Sequence, residues 1–168
     1  MKVLTLDLGT KLGWAFADTG TDTWIWGEED FSLQRYEGGG MRFLRFDRWL
    51  AEMLQSVDMV VMEEIGFARY QQAAEILNGM KGILMAKCEA VGVPYAGVPV
   101  GTLKKFATGK GNAGKNLMAK ALQERWDGVR PLNHPSVDIA TLTNNEVDAI
   151  WLTAYAVQNL VPEHEGAQ

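Results

Sequence analysis

The sequence is poor in the residues that soft-metal and nucleophile chemistry uses. It has one cysteine, Cys88, and two histidines, His134 and His164. One thiol excludes an intramolecular disulfide, and no His/Cys cluster has the spacing of a zinc site. His134 lies among prolines and His164 lies in the last few residues, so no Ser-His-Asp arrangement is in sight. The 5 prolines form no linker that would divide the chain. No apolar run approaches the roughly 18 residues of a membrane-spanning helix, so no membrane partner is expected. The opening, Met1-Lys2-Val3-Leu4-Thr5-Leu6-Asp7, meets an acid at position 7 and does not read as a signal peptide. A cytoplasmic protein is expected.

What is present is ordinary globular material. The 168 residues are 47% hydrophobic and 22% charged, which excludes a disordered or collagen-like chain. The length suits one domain, expected over 1–160 with a frayed tail at 161–168, and is too short for a two-lobed enzyme. The net charge of −5 argues, as a whole, mildly against nucleic acid. The charge is unevenly spread, however. Lys104, Lys105, Lys110, Lys115, Lys120 and Arg125 fall in one window with a single acid, Glu124. Either this is a solvated helix face or it faces phosphate.

Hydrophobic spacing outlines an α/β chain. Residues 2–8 read as a buried strand, 12–17 as a second, and 23–27 with Asp30-Phe31 as a third, giving an antiparallel meander. A helix is expected over Met41–Gln55, a short strand over Asp58–Met62, and a long helix over Tyr70–Val91, where Gly79 and Gly82 offer room for a close neighbour. A fifth strand is expected at Pro94–Val98, then helices at 101–107, Lys115–Arg125 and Asn145–Leu160, with 128–142 irregular. Such an order predicts a mixed five-stranded sheet with helices on both faces.

Three acids stand at the ends of hydrophobic elements. Asp7 lies between Leu6 and Leu8, where an unpartnered carboxylate is costly; it either caps the turn at Gly9-Thr10 or binds a metal. Glu63 and Glu64 end a Met-Val-Val-Met strand, and alternation lets only one share a face with Asp7. Asp148 borders the apolar stripe of the last helix. In the same helix Thr143 and Glu146 have capping-box spacing, and Asn145 lies on the face of Asp148. Dispersed acids without cysteine or histidine suit hard cations, magnesium or manganese. A pair of such ions clamps the attacking and leaving oxygens of a phosphodiester. One stretch, Gly109 to Asn116, nearly matches a phosphate-binding P-loop. It lacks the Ser/Thr and follows no clear buried strand, so no ATP is expected.

Taken together, four motifs resemble the RuvC-type Holliday junction resolvases. They are Leu6-Asp7-Leu8-Gly9-Thr10 with Gly13-Trp14-Ala15, Val61-Met62-Glu63-Glu64-Ile65, Leu103 through Lys115, and Asn144-Asn145-Glu146-Val147-Asp148-Ala149. They occur in family order between residues 6 and 149. The basic loop is especially like that of the bacteriophage RuvC-like branch.

The resemblance implies a ribonuclease H-like fold, a homodimer and magnesium-dependent cleavage of branched DNA, in a bacterial cytoplasm or by a phage protein within its host. It makes Asp7, Glu63 and Asp148 ligands of two magnesium (or manganese) ions. Lys104 and Lys115 match lysines that serve both DNA binding and catalysis. Lys105, Lys110 and Lys120 would position the DNA backbone. Many members carry a second Asp three residues before the last one; Asn145 stands there in this chain, so either Asn145 or Glu146 completes the metal set. The expected activity is resolution of four-way junctions by paired symmetric nicks, leaving 5′ phosphates. The alternatives are an RNA-processing ribonuclease H-like nuclease of the YqgF type and a catalytically weak junction-binding protein.

Overall fold

The computed structural model describes residues 1–64, 71–130 and 137–162. Its elements are β1 (Lys2–Asp7), β2 (Lys11–Asp18), β3 (Thr23–Asp30), α1 (Gly40–Met53), β4 (Met59–Glu64), α2 (Gln71–Val91), β5 (Tyr95–Pro99), α3 (Val100–Thr108), α4 (Lys115–Val129) and α5 (Asn144–Asn159). The five strands form one mixed sheet in the order β3-β2-β1-β4-β5. The first three pair antiparallel; β4 and β5 join parallel to β1.

Strand alternation divides the interior into two cores. Leu4 and Leu6 of β1, with Val60 and Met62 of β4, face α1 and α2. Their neighbours Val3 and Val61, with Val98 of β5, face α3, α4 and α5. Burial on both faces is what the near-continuous apolar runs of β1 and β4 require.

Helix α5 is fastened across the middle of the sheet. Thr5 and Thr153, both without solvent exposure, share a 2.6 Å hydrogen bond between hydroxyls, and Thr153 donates to the Ala149 carbonyl at 2.9 Å. At the start of the helix the backbone of Asn145 lies against Gly13 of β2, where a Cβ would collide with it. Gly13 pairs in register with Asp7 on one side and Glu28 on the other. The first turn of α5 is thereby brought down beside Asp7.

The meander and the αβαβ order are as the sequence implied, and the differences have local causes. β3 continues through Gly27-Glu28-Glu29-Asp30, a stretch whose acids hide it from an apolar pattern; pairing with β2 from Thr23 to Asp30 extends it. Helix α4 runs past Arg125 to Val129 because Trp126 and Val129 are buried, the Trp126 ring meeting Trp26 edge-on at 5.7 Å. Helix α1 stops at Met53, and a 3-10 turn, Leu54–Ser56, finishes it. Gly79 does admit a close neighbour: a Cβ there would come within 2.7 Å of the Phe43 ring on α1. Gly82 has open space. Cys88 is buried in the α1/α2 core, and burial pushes its thiol up to about 11. Tyr70, His134 and most of the expected tail lie outside the described residues.

Candidate active site

The parallel strands β1, β4 and β5 all end at one edge of the sheet, the usual place for ligand sites in such folds. Asp7 is the last residue of β1. On β4, Glu63 has the parity of Val61 and therefore faces α5, as Asp7 does. Glu64 falls on the opposite face, its Cγ packed 2.8 Å from where a Cβ on Gly97 would stand. Asp148, one turn into α5, completes a group of three carboxylates contributed by separate elements.

Their proton affinities show how close they are. Burial pushes Asp7 well above the usual carboxylate range, and the charges of Glu63 and Asp148 push it further. Glu63 is raised by burial and then by Asp148, and a hydrogen bond to Asp7 offsets part of this. Asp148 is raised by burial, against the pull of Lys115 and Lys104. Among the described residues no three His, Cys, Asp or Glu side chains converge as tightly as a formed ion site; these three meet through repulsion. The donor set nevertheless fits a hard divalent cation. It is all carboxylate oxygen, partly buried, and its strain is of the kind a positive charge relieves.

Lys104 on α3 and Lys115 at the start of α4 both act on this cluster. Lys104 favours the charged forms of Glu63 and Asp148, and Lys115 those of Asp7 and Asp148. The other cations of the basic window have different surroundings. Lys120 lies 3.6 Å from Glu124 on the same helix. Arg125 donates to the carbonyls of Phe106 and Ala107 at 3.0 and 3.1 Å and stacks over Trp151 at 5.1 Å, so it fastens α4 to the end of α3. Lys105 and Lys110 are exposed. The glycine-rich stretch does not have P-loop geometry: it joins two helices, and Gly109, at φ +77°, is the left-handed cap of α3.

Two residues expected to complete the metal set each use one polar atom elsewhere. The carboxylate of Glu146 turns back to accept from the Thr143 N–H at 2.7 Å, completing a capping box. The Asn145 amide donates to Glu28 Oε2 at 2.7 Å. Glu28 is the residue that sequence reasoning missed. It follows Trp24 and Trp26 in alternation on the α5 face, at a position that a strand read over 23–27 with Asp30-Phe31 passes over.

No protein-family model matches the chain, and no curated protein matches it. Solved structures do resemble it. Thermus thermophilus RuvC in complex with a Holliday junction substrate superposes with a TM-score of 0.68 at 23% identity, covering 94% of this chain and 93% of that one. The yeast mitochondrial Holliday junction resolvase gives 0.60 at 16% identity, over 90% of this chain and 75% of that one. Fowlpox virus resolvase, solved with substrate Holliday junction DNA, gives 0.55 at 15% identity, over 96% and 100%. The class is therefore set at the level of architecture: a ribonuclease H-like α/β fold. Within that class, the chain has the fold of the RuvC-type resolvases.

Proposed function

We propose that this chain is a structure-specific endonuclease that resolves four-way DNA junctions by paired, symmetric, metal-dependent nicks. The observation that supports this reading best is the meeting of Asp7, Glu63 and Asp148 at the carboxyl end of the sheet with Lys104 and Lys115 acting on them. The three acids would hold magnesium or manganese ions, which when bound supply an activated water and charge neutralisation for in-line displacement at phosphorus. Lys104 and Lys115 would offset charge developing on a phosphate lodged over the acids. Lys105 and Lys110 are free to follow the DNA backbone, contacts that position the substrate without reading its sequence. The 3′ oxygen leaves, and the product keeps a 5′ phosphate.

A four-way junction has approximate twofold symmetry, and two opposed cuts call for two sites related by a dyad. A C2 homodimer is the matching assembly, with α2 and its neighbours as the proposed contact. A second reading, junction binding without cutting, draws on Asn145, a neutral amide whose N–H donates to Glu28 where an acid would add a charged ligand. The test is a gel assay on a synthetic four-way junction and the matching duplex, with and without magnesium. Paired nicks at the junction that need magnesium are expected. Binding without nicks favours the second reading, and neither binding nor nicks would sink both.

A further inference from the structure

The segment between β3 and α1 stands at the same end of the sheet as the three acids. β3 pairs through β2 so that Asp30 lies level with Lys11, next to the end where Asp7 meets Gly13. Helix α1 must begin at that end too, since it leads to Met59, which pairs with Val3 at the far end of β1. At the tip of this segment is Tyr36, 92% exposed and held at φ +74°. Among the described residues only Asp22 shares a positive φ without being glycine, and aspartate tolerates that region far better than a bulky ring.

The fold gains no burial from Tyr36, yet it braces the loop that presents it. Arg45 donates to both carboxylate oxygens of Glu37 at 2.7 and 2.9 Å and to the Ser32 carbonyl at 2.7 Å. The Gln34 N–H donates to Glu37 at 2.7 Å, Arg42 donates to the Phe31 carbonyl at 3.2 Å, and the Phe31 N–H reaches Thr10 at 2.7 Å. The Arg45 hydrogen bond holds the Glu37 carboxyl below its usual range, so the brace stays charged near neutrality. Arg35 lies 5.1 Å from the Tyr36 ring centroid. Strain at an exposed, well-braced position points to function, and a displayed aromatic face beside a guanidinium suits a base and its phosphate.

We infer that Tyr36, with Arg35, is a stacking contact for an unpaired nucleobase at the branch point of the nucleic acid bound over the acids. The inference rests on the nuclease reading above. It is tested with a four-way junction carrying 2-aminopurine at the branch point, titrated without divalent metal so that nothing is cut. Wild-type protein and Tyr36→Phe should quench the probe alike. Tyr36→Ala should lose the quenching and bind the junction about 5- to 150-fold more weakly, the range for one lost base–aromatic stack, with plain duplex binding unchanged. Tyr36→Gly, which relieves the backbone, should melt no lower than wild type and still lose the quenching. Wild-type-like quenching and affinity in Tyr36→Ala would overturn the contact while leaving the nuclease reading intact. So would a fall in sedimentation mass for that variant, which would make Tyr36 a contact between copies of the chain. A wild-type protein that binds no branched DNA would overturn both.

Discussion

The two faces of the sheet are built from alternate residues of the same strands, and they do opposite work. Toward α1 and α2, β1 and β4 present Leu4, Leu6, Val60 and Met62, every one buried in an apolar core. Toward α5 they present Val3, Thr5, Val61, and then Asp7 and Glu63 at the carboxyl end. A shift of one residue separates Leu6 from Asp7 and Met62 from Glu63. The first face supplies stability through area removed from water. The second gives some of it up, since three crowded carboxylates with raised proton affinity oppose folding at neutral pH.

The sharpest way to break the comparison is one substitution on each face. Asp7→Asn should reduce nicking to background while junction binding persists. It should also raise the melting temperature of the metal-free protein by about 2–4 °C, the shift for ~1 kcal/mol in a chain this size. Gel assay and calorimetry on the same samples check both halves, and retained nicking would refute the assignment of Asp7. On the other face, Leu6→Ala should cost about 2–5 kcal/mol from the cavity it leaves, with nicking per folded molecule unchanged.

The pH dependence sharpens the contrast further. Asp7, Glu63 and Asp148 have folded proton affinities above their unfolded ones. Their contribution is therefore fully present below the ordinary carboxylate range of about 4 and is lost as pH rises through their raised values. The gap in melting temperature between Asp7→Asn and the metal-free wild type should widen from pH 4 toward pH 7, and adding magnesium should narrow it. Glu28→Gln tests the fastening of α5: it weakens the acceptor for Asn145, and a loss of roughly 0.5–1.5 kcal/mol is expected, with slower nicking because Asp148 rides on the same turn. The smallest effect belongs to Lys115→Ala, which should flatten the salt dependence of junction binding by about 0.9 log units per log salt, one phosphate contact. An unchanged slope would show that Lys115 touches no phosphate.

Much of this was legible in the chain, because strands with clean apolar patterns announce both their position and their parity. The parity that divides Glu63 from Glu64 is a property of β4 alone, and the motif resemblance pointed to Glu63; that Glu63 shares the α5 face with Asp7 needed the fold. Glu28 was hidden because β3 ends in charge, and only pairing with β2 shows it to be strand. The capping box at Thr143 and Glu146 was legible as local spacing, yet which way the Glu146 carboxylate turns needed coordinates. The basic window likewise read as one patch. In three dimensions Arg125 is committed to the end of α3, and Lys104 and Lys115 act on the acids from different helices.

The fastening of α5 has a bearing on when the site can exist. Asp7 leaves the ribosome more than a hundred residues before Asp148 and Thr153. A nascent chain that has emerged only as far as Arg130 can pair its five strands, but Thr5 lacks its hydroxyl partner, Gly13 faces an empty groove, and the acid cluster is one member short. Docking of α5 and arming of the proposed nuclease are then a single event, so a chain synthesised only to Arg130 carries no complete cutting centre.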